Sequence, residues 1–160
     1  MKARRLLLSL VLAALVALAL AGAASAARLD VADHGGRPLS TGLTGAAEVP
    51  PGDLDGSGTA TITVNPGQEE VCWEIEAAGI LLPATAAHIH VGAAGTAPPN
   101  NVVVTLSAPV AGLDPTRGFS SGCTTVEREV ALAILKNPEN YYVNVHTTEF
   151  PTGAIRGQLS

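Results

Sequence analysis

The segment A-A-H-I-H-V-G-A-A-G, residues 86–95, combines a strand pattern with two histidines one residue apart. Successive side chains of a β-strand point to opposite faces. Ile89 and Val91 therefore share an apolar face, whereas His88 and His90 share the other face. The pattern predicts a strand whose apolar face packs into a core and whose second face carries two imidazoles side by side.

Short apolar runs separated by Gly and Pro recur on both sides of this segment. Such runs are typical of antiparallel strands with one buried face. The predicted strands are Leu43–Val49, Thr59–Val64, Val71–Ile75, Ala86–Val91, Val102–Leu106, Tyr141–His146 and Ala154–Leu159. The last two are expected to form a hairpin, and Ser107–Gly122 is predicted to be a long connection.

One helix is predicted to interrupt the strands. Thr124-x-x-Glu127 matches a capping box, apolar residues follow at helical spacing, and Asn137-Pro138 ends the helix. About seven short strands with one short helix predict an all-β fold. The expected architecture is an antiparallel β-sandwich of the immunoglobulin-like or superoxide-dismutase-like kind.

The first 27 residues have the composition of a secretory signal peptide. Three basic residues lie within the first five positions, an apolar run follows, and small residues occupy 24–27. The alternative is an uncleaved anchor, although the apolar run alone is shorter than the ~20 residues that a spanning helix needs. We expect residues 1–27 to be removed, residues 28–40 to form a flexible N-terminal arm and residues 41–160 to form one secreted domain.

The mature domain is strongly acidic. Without the three basic residues of the signal peptide, six basic residues remain against 14 acidic ones, a formal charge of −8. Such a surface repels nucleic acid and anionic lipid, which excludes nucleic-acid binding. The expected partner is an extracellular protein or a surface ligand, with membrane attachment only through an uncleaved signal sequence.

Cys72 and Cys123 are the two cysteines of the chain. Exported proteins meet oxidising conditions, so an even count predicts one disulfide. Closing the loop between them would stabilise the fold by about 4 kcal/mol on the loop-entropy model. The alternative is a pair of buried thiols.

The histidines are the candidate metal ligands. His88 and His90 can converge on one ion because strand residues i and i+2 point the same way. His146 lies on a predicted strand that can neighbour theirs. Three neutral imidazoles suit copper or zinc, the two candidate cofactors. The alternative is a structural role, in which the imidazoles bond to backbone groups or face water.

Two other motifs resemble functional sites but match them only in part. Asp53–Gly58 begins like a calcium loop, but Val64 stands where the loop needs a bidentate Glu, so a turn explains it. Gly118–Gly122 matches G-x-S-x-G, but a nucleophile elbow needs a strand–turn–helix step in a parallel sheet. We therefore predict no catalytic residue.

Four motifs follow one another along the chain: L-T-G-A-A-E-V-P-P at 43–51, A-A-H-I-H-V-G at 86–92, Y-Y-V-N-V-H-T at 141–147 and G-A-I-R-G-Q-L at 153–159. Their order and content resemble the CHRD domain, named for the animal extracellular protein chordin and also found in small secreted bacterial proteins. The resemblance implies an extracellular β-rich module with no established reaction. Besides the three histidines, it marks out Glu48, Asn144, Arg156 and Gln158.

Glu48 and Arg156 are each isolated charges in neutral runs, and the terminal strands of sandwiches often pair, so a structural ion pair between them is a hypothesis. A looser similarity is to copper–zinc superoxide dismutase, but the bridging histidine and the zinc loop are missing. The sequence thus predicts a secreted, non-enzymatic binding or structural module. The alternative is a metal-binding protein that uses His88, His90 and His146, with possible redox activity.

Overall fold

Nine antiparallel strands and one α-helix make up the part of the chain that the computed structural model describes, residues 35–160. The predicted signal peptide and most of the predicted arm lie outside the described residues. The strands are β1 (Arg37–Thr44), β2 (Ser57–Asn65), β3 (Glu70–Ala78), β4 (Ala86–Val91), β5 (Val102–Leu106), β6 (Val110–Ala111), β7 (Arg117–Thr125), β8 (Tyr141–His146) and β9 (Ile155–Gln158). The helix α1 (Arg128–Lys136) lies between β7 and β8.

All nine strands belong to one sheet, in the order β5-β4-β8-β9-β1-β2-β3-β7-β6. The sheet curls, and buried apolar residues from both halves form a single core. The predicted all-antiparallel fold with one short helix is confirmed. The strands form one continuous curled sheet, a half-barrel, and this sheet has nine strands where about seven were expected.

Strands with a clear alternation were predicted correctly. β4 and β5 have the predicted bounds, and so does β8, which pairs with β9 as the expected hairpin. In β2 the apolar residues Ala60, Ile62 and Val64 are buried, whereas the threonines between them are not.

Three predicted elements were wrong. The first strand is β1, which begins before the predicted Leu43–Val49, overlaps it only at Leu43 and Thr44, and includes the last four residues of the predicted arm. The chain leaves the sheet after Thr44 in a 3₁₀ turn at Gly45–Ala47. The connection predicted at Ser107–Gly122 contains β6 and most of β7, so the G-x-S-x-G motif lies on a strand.

The prediction of a capping box at Thr124-x-x-Glu127 was also wrong. Thr124 lies in β7, and Glu127, the residue before α1, makes no side-chain hydrogen bond to the helix. The ladder between β3 and β7 runs from Glu70 opposite Thr125 to Ala78 opposite Arg117, and it keeps Thr124 in the sheet. Within residues 35–160, no helix is long and apolar enough to cross a membrane.

The face of β4, β8 and β9 that points away from the core is also buried. Asn144 and Arg156 on this face are almost fully enclosed, and so is His90. The backbone of the loop that follows β4 accepts hydrogen bonds from Arg156 and from Gln158. A cluster of polar side chains therefore lies between loops and the face of β4, β8 and β9 that points away from the apolar core.

Candidate functional site

Strand register places the predicted site residues in two adjacent rows of the sheet. His88 on β4 lies opposite Asn144 on β8, and Asn144 in turn lies opposite Arg156 on β9. In the next row, His90 lies opposite Tyr142, which lies opposite Gln158. His146 is two residues after Asn144 on β8, and alternate residues of a strand share a face. All these side chains therefore belong to one cluster.

The three imidazoles converge. His88, His90 and His146 each offer a ring nitrogen, and these three atoms lie within 4.8 Å of one another. His88 Nδ1 and His146 Nε2 are the closest pair, at 3.1 Å. Two nitrogens bound tetrahedrally to one zinc ion are about 3.3 Å apart, given Zn–N bonds of about 2.0–2.1 Å. The spacing suits either a shared ion or an N–H···N hydrogen bond.

His146 has a defined tautomer. Its Nδ1 lies 3.0 Å from the carbonyl oxygen of Pro151, which can only accept a hydrogen bond. In the neutral ring the N–H is therefore on Nδ1, and the lone pair of Nε2 faces His88. Histidines that bind metals are usually oriented in this way, by a carbonyl or carboxylate on the second nitrogen.

His90 is held at both ring nitrogens. Its Nδ1 lies 2.8 Å from the side-chain oxygen of Asn101, and its Nε2 lies 2.9 Å from the side-chain oxygen of Asn144. The Tyr142 ring stacks parallel to the imidazole, with the ring centroids 4.8 Å apart. These contacts fix the position of the ring in the cluster.

Burial keeps the three histidines neutral near pH 7. Burial is the main cause that lowers the pKa of His88 to about 4, with smaller effects from His146 and His90. Burial also lowers the pKa of His90, although the Asn101 and Asn144 side chains oppose it. For His146, burial lowers the pKa against the opposing bond to Pro151. Neutral imidazoles retain a lone pair, as metal ligation requires.

Arg156 and Gln158 attach the loop after β4 to the sheet. Arg156 donates to the carbonyl oxygens of Thr96 at 2.6 Å and Ala93 at 3.1 Å, and its guanidinium lies 3.4 Å from the centre of the Tyr142 ring. Gln158 donates to the carbonyl oxygens of Gly92, Glu139 and Tyr141. Arg156 also donates to the side-chain oxygen of Gln158 at 3.3 Å, so the two side chains and the loop backbone form one structural network.

Glu48 is a buried carboxyl group beside this cluster. It is 6% exposed, and its Oε1 has no hydrogen-bond partner. Burial raises the pKa of Glu48 to about 7, although the Arg156 charge, Asn144 and the Val49 backbone oppose the shift. The hypothesis of a Glu48–Arg156 ion pair is not supported, because the Arg156 guanidinium donates to the carbonyl oxygens of Thr96 and Ala93 instead. Glu48 and Arg156 interact only at longer range.

The family model of the CHRD domain matches residues 39–159, nearly all of the described chain. The chain belongs to the CHRD family. Comparisons with curated proteins and with solved structures find no match. The resemblance of the four sequence motifs to this family is therefore confirmed, and three of those motifs meet in the cluster described above.

The predicted disulfide of this CHRD domain is confirmed. Cys72 on β3 and Cys123 on β7 lie directly opposite each other and are bonded. Glu70 lies close to them, but sulfurs joined in a disulfide provide no thiolate for a metal. The disulfide fits an oxidising compartment, as does the extracellular location of CHRD domains.

Three residues of the cluster were missed by the sequence analysis. Tyr142 precedes Asn144 and His146 at the same two-residue spacing, so the strand period could have identified it. Asn101 and Pro151 lie in loops. No period relates a loop residue to a strand face, so only the tertiary structure reveals them.

Proposed function

We propose that this CHRD domain is an exported binding module whose ligand is a copper or zinc ion held by His88, His90 and His146. The observation that carries the proposal is the convergence of three ring nitrogens within 4.8 Å of one another. The sequence feature behind it is the H-x-H pattern on β4 combined with a histidine on the neighbouring strand β8.

The surroundings of the cluster support this function. Burial favours the neutral form of all three rings, and His146 has its second nitrogen fixed by a backbone carbonyl. Three imidazoles leave a fourth position for water, for a surface ligand or for a group from an extracellular partner. If the ion held by the three histidines is copper, the module would have access to redox chemistry.

A purely structural role is the second candidate. It is favoured by the hydrogen bonds that already satisfy the cluster, since His88 faces His146 and His90 has two amide partners. In that case the histidines would join β4 to β8, and the module would bind its extracellular partner elsewhere.

Metal analysis of protein purified from the exported fraction tests the proposal. We expect about one copper or zinc ion per chain, and we expect the His88→Ala/His90→Ala variant to lose it. The matched control is His34→Ala, which removes the remaining histidine of the chain and should retain the metal. Equal metal content in the wild type and the double variant would refute metal binding by this histidine cluster and would favour the structural role.

A titration of the metal-free protein with Zn²⁺ and with Cu²⁺ identifies the preferred ion. Binding should be complete near pH 7 and weaken in acid, because imidazoles lose their lone pair when protonated. Reduction of the copper-loaded protein by ascorbate, followed by reoxidation in air, would establish redox cycling. A copper ion that is stripped rather than cycled would limit the function to binding.

A further inference from the structure

The G-F-S-S-G motif of β7 divides its side chains between the two faces of the sheet. Ser120 lies on the core side, where its hydroxyl accepts a hydrogen bond from the Trp73 ring nitrogen at 3.0 Å and donates to the carbonyl oxygen of Ser107 at 2.6 Å. Phe119 and Ser121 lie on the opposite face and are exposed. The motif therefore presents an aromatic ring and a hydroxyl group on the outer surface of the sheet.

A groove runs along this outer face, over strands β2, β3 and β7. It has a volume of about 390 Å³ and continues into a depression of about 250 Å³ beside Ser57 and Arg117. On this face it is lined by hydroxyl groups, carboxylates and one aromatic ring, from Thr59, Thr61, Glu74, Glu76, Phe119 and Ser121. From Ser57 to Thr61 the groove follows β2 for about 14 Å, at about 3.4 Å per residue. This length suits an extended ligand.

The charges in the groove favour a ligand without net charge. Arg117 and Glu76 form an ion pair, so a guanidinium and a carboxylate neutralise each other on this face. Glu74 is exposed and adds a negative charge in the next row of the sheet. An anionic ligand would be repelled by Glu74 and by the negative net charge of the chain, whereas a strongly cationic ligand would be repelled by Arg117.

Neutral sugars match this combination of groups. A sugar ring carries hydroxyl groups around its rim and C–H groups on its faces, so it needs hydrogen-bond partners beside an apolar platform. Carboxylates accept from hydroxyl groups, a guanidinium donates to them, and Thr and Ser can do both. Phe119 supplies the platform, since it is 46% exposed and its ring rests against Gly112, where an added side chain would come within 3.3 Å of it. The groove thus offers both kinds of contact.

We propose that the outer face of β2, β3 and β7 binds a neutral oligosaccharide, with a sugar ring packed on Phe119 and its hydroxyl groups donating to Glu74. The paired strands hold these side chains in place before binding, and the disulfide joins β3 to β7 in the row next to Glu74 and Ser121. Groups that are already ordered bind a ligand with a smaller loss of conformational entropy. The proposal is independent of the histidine cluster, which lies on β4 and β8.

Amide NMR of the isotope-labelled protein tests the proposal in the wild type. The probes are neutral tetrasaccharides of glucose, mannose, xylose and N-acetylglucosamine, compared with an acidic tetrasaccharide of galacturonic acid. We expect at least one neutral probe to give saturable shifts of amide signals in β2, β3 and β7 at millimolar concentration. The acidic probe should bind more weakly.

Three results of this titration would overturn the proposal. The first is the absence of a saturable shift with every neutral probe, and the second is a set of shifts confined to β4 and β8. The third is tighter binding of a lysine-rich peptide than of any neutral probe, which would make a cationic protein segment the ligand of the groove.

Two variants remove the contacts that the proposal assigns to single side chains. Phe119→Ala should weaken binding of the neutral probe about tenfold, because the sugar loses its aromatic platform. Glu74→Gln retains the shape of the side chain but removes its charge, and it should weaken binding about fivefold because hydrogen bonds to charged groups are stronger.

Two substitutions on α1, outside the groove, provide matched controls. Leu132→Ala removes an apolar side chain that is 47% exposed, close to the value for Phe119, and Glu129→Gln neutralises an exposed carboxylate. Both should bind the probe as the wild type does. Wild-type affinity in either groove variant, or an equal loss of affinity in its control, would overturn the proposal.

Discussion

Glu48 shows at the level of one residue how burial changes chemistry. It follows the 3₁₀ turn after β1, and the backbone of Gly153 packs directly against its carboxyl group. A charged carboxylate there loses water without gaining a close cation, since Arg156 directs its guanidinium to loop carbonyls. The protonated form is therefore favoured in the folded state.

Replacing Glu48 by Gln should change the pH dependence of stability. A rise in pKa from 4.5 to about 7 means that the folded protein holds a proton more tightly than the unfolded chain. Stability from this group is complete at low pH and is lost as pH rises from about 4.5 to about 7, by up to roughly 3 kcal/mol. We expect Glu48→Gln to gain stability over the wild type across that range in urea unfolding.

The comparison between the two proteins isolates Glu48. The lowered pKa of His88 acts in the opposite direction, because stability from a buried neutral histidine is gained as pH rises from about 4 towards its ordinary 6.5. That contribution is present in both proteins and cancels in the difference. A difference between Glu48→Gln and wild type that does not vary between pH 4.5 and 7 would contradict the raised pKa.

The candidate site could be predicted from sequence where a strand period relates its residues. His88 and His90 alternate with core residues, and His146 belongs to a second run of the same kind. The role of Glu48 as a buried acid had no such signal, because its environment comes from Gly153 and from a strand about a hundred residues later. Its family motif identified the position, but only packing reveals the chemistry.

At the level of elements, predictions succeeded where apolar residues alternate. β7 was missed because R-G-F-S-S-G-C-T-T contains mostly small and polar residues, and its exposed face offers no hydrophobic contrast. Its pairing is imposed by β3, whose Trp73 packs over Gly122. β1 was placed too late because Glu48 and its flanking apolar residues were interpreted as part of a strand, whereas the chain turns there.

Strand β4 provides a direct test of which of its apolar residues supports the core. The sequence places Ile89 and Val91 on one face, but Ile89 is fully buried and Val91 is 40% exposed at the end of the strand. We expect Ile89→Ala to lower the free energy of unfolding by about 2–5 kcal/mol. Val91→Ala should cost less than about 1 kcal/mol.

Chemical denaturation of the two variants measures the difference. The two substitutions are matched because both replace a branched side chain of the same strand by alanine. A loss at Val91 as large as that at Ile89 would mean that the end of β4 is covered by another surface in solution. Circular dichroism of the folded variants controls for a change of secondary structure.

For the whole molecule, the sequence could predict the all-β class but not the strand order. Neighbours such as β1 and β9 lie at opposite ends of the chain, and they bring Thr44 opposite Arg156. This closure unites the first and last family motifs with the histidines of the middle ones. Long-range pairing of this kind leaves no local signature, because each strand is compatible with several partners.

The disulfide acts on the whole molecule through the unfolded chain. Cys72 and Cys123 are 51 residues apart, yet they face each other within a long ladder between β3 and β7 that the backbone maintains on its own. Removing the bond should therefore leave the fold intact and enlarge the ensemble of unfolded states. The loop-entropy model gives a loss of about 4 kcal/mol for a loop of this length.

We therefore expect the Cys72→Ala/Cys123→Ala variant to unfold at lower urea concentration than the wild type, with a native circular dichroism spectrum. The wild type measured in excess reductant should show the same decrease, because both lack the cross-link. A decrease well below 1 kcal/mol would mean that the unfolded chain already keeps β3 and β7 close together. If the double variant and the reduced wild type both lose the native circular dichroism spectrum, the ladder between β3 and β7 depends on the disulfide. The entropic account of its stabilising effect would then be wrong.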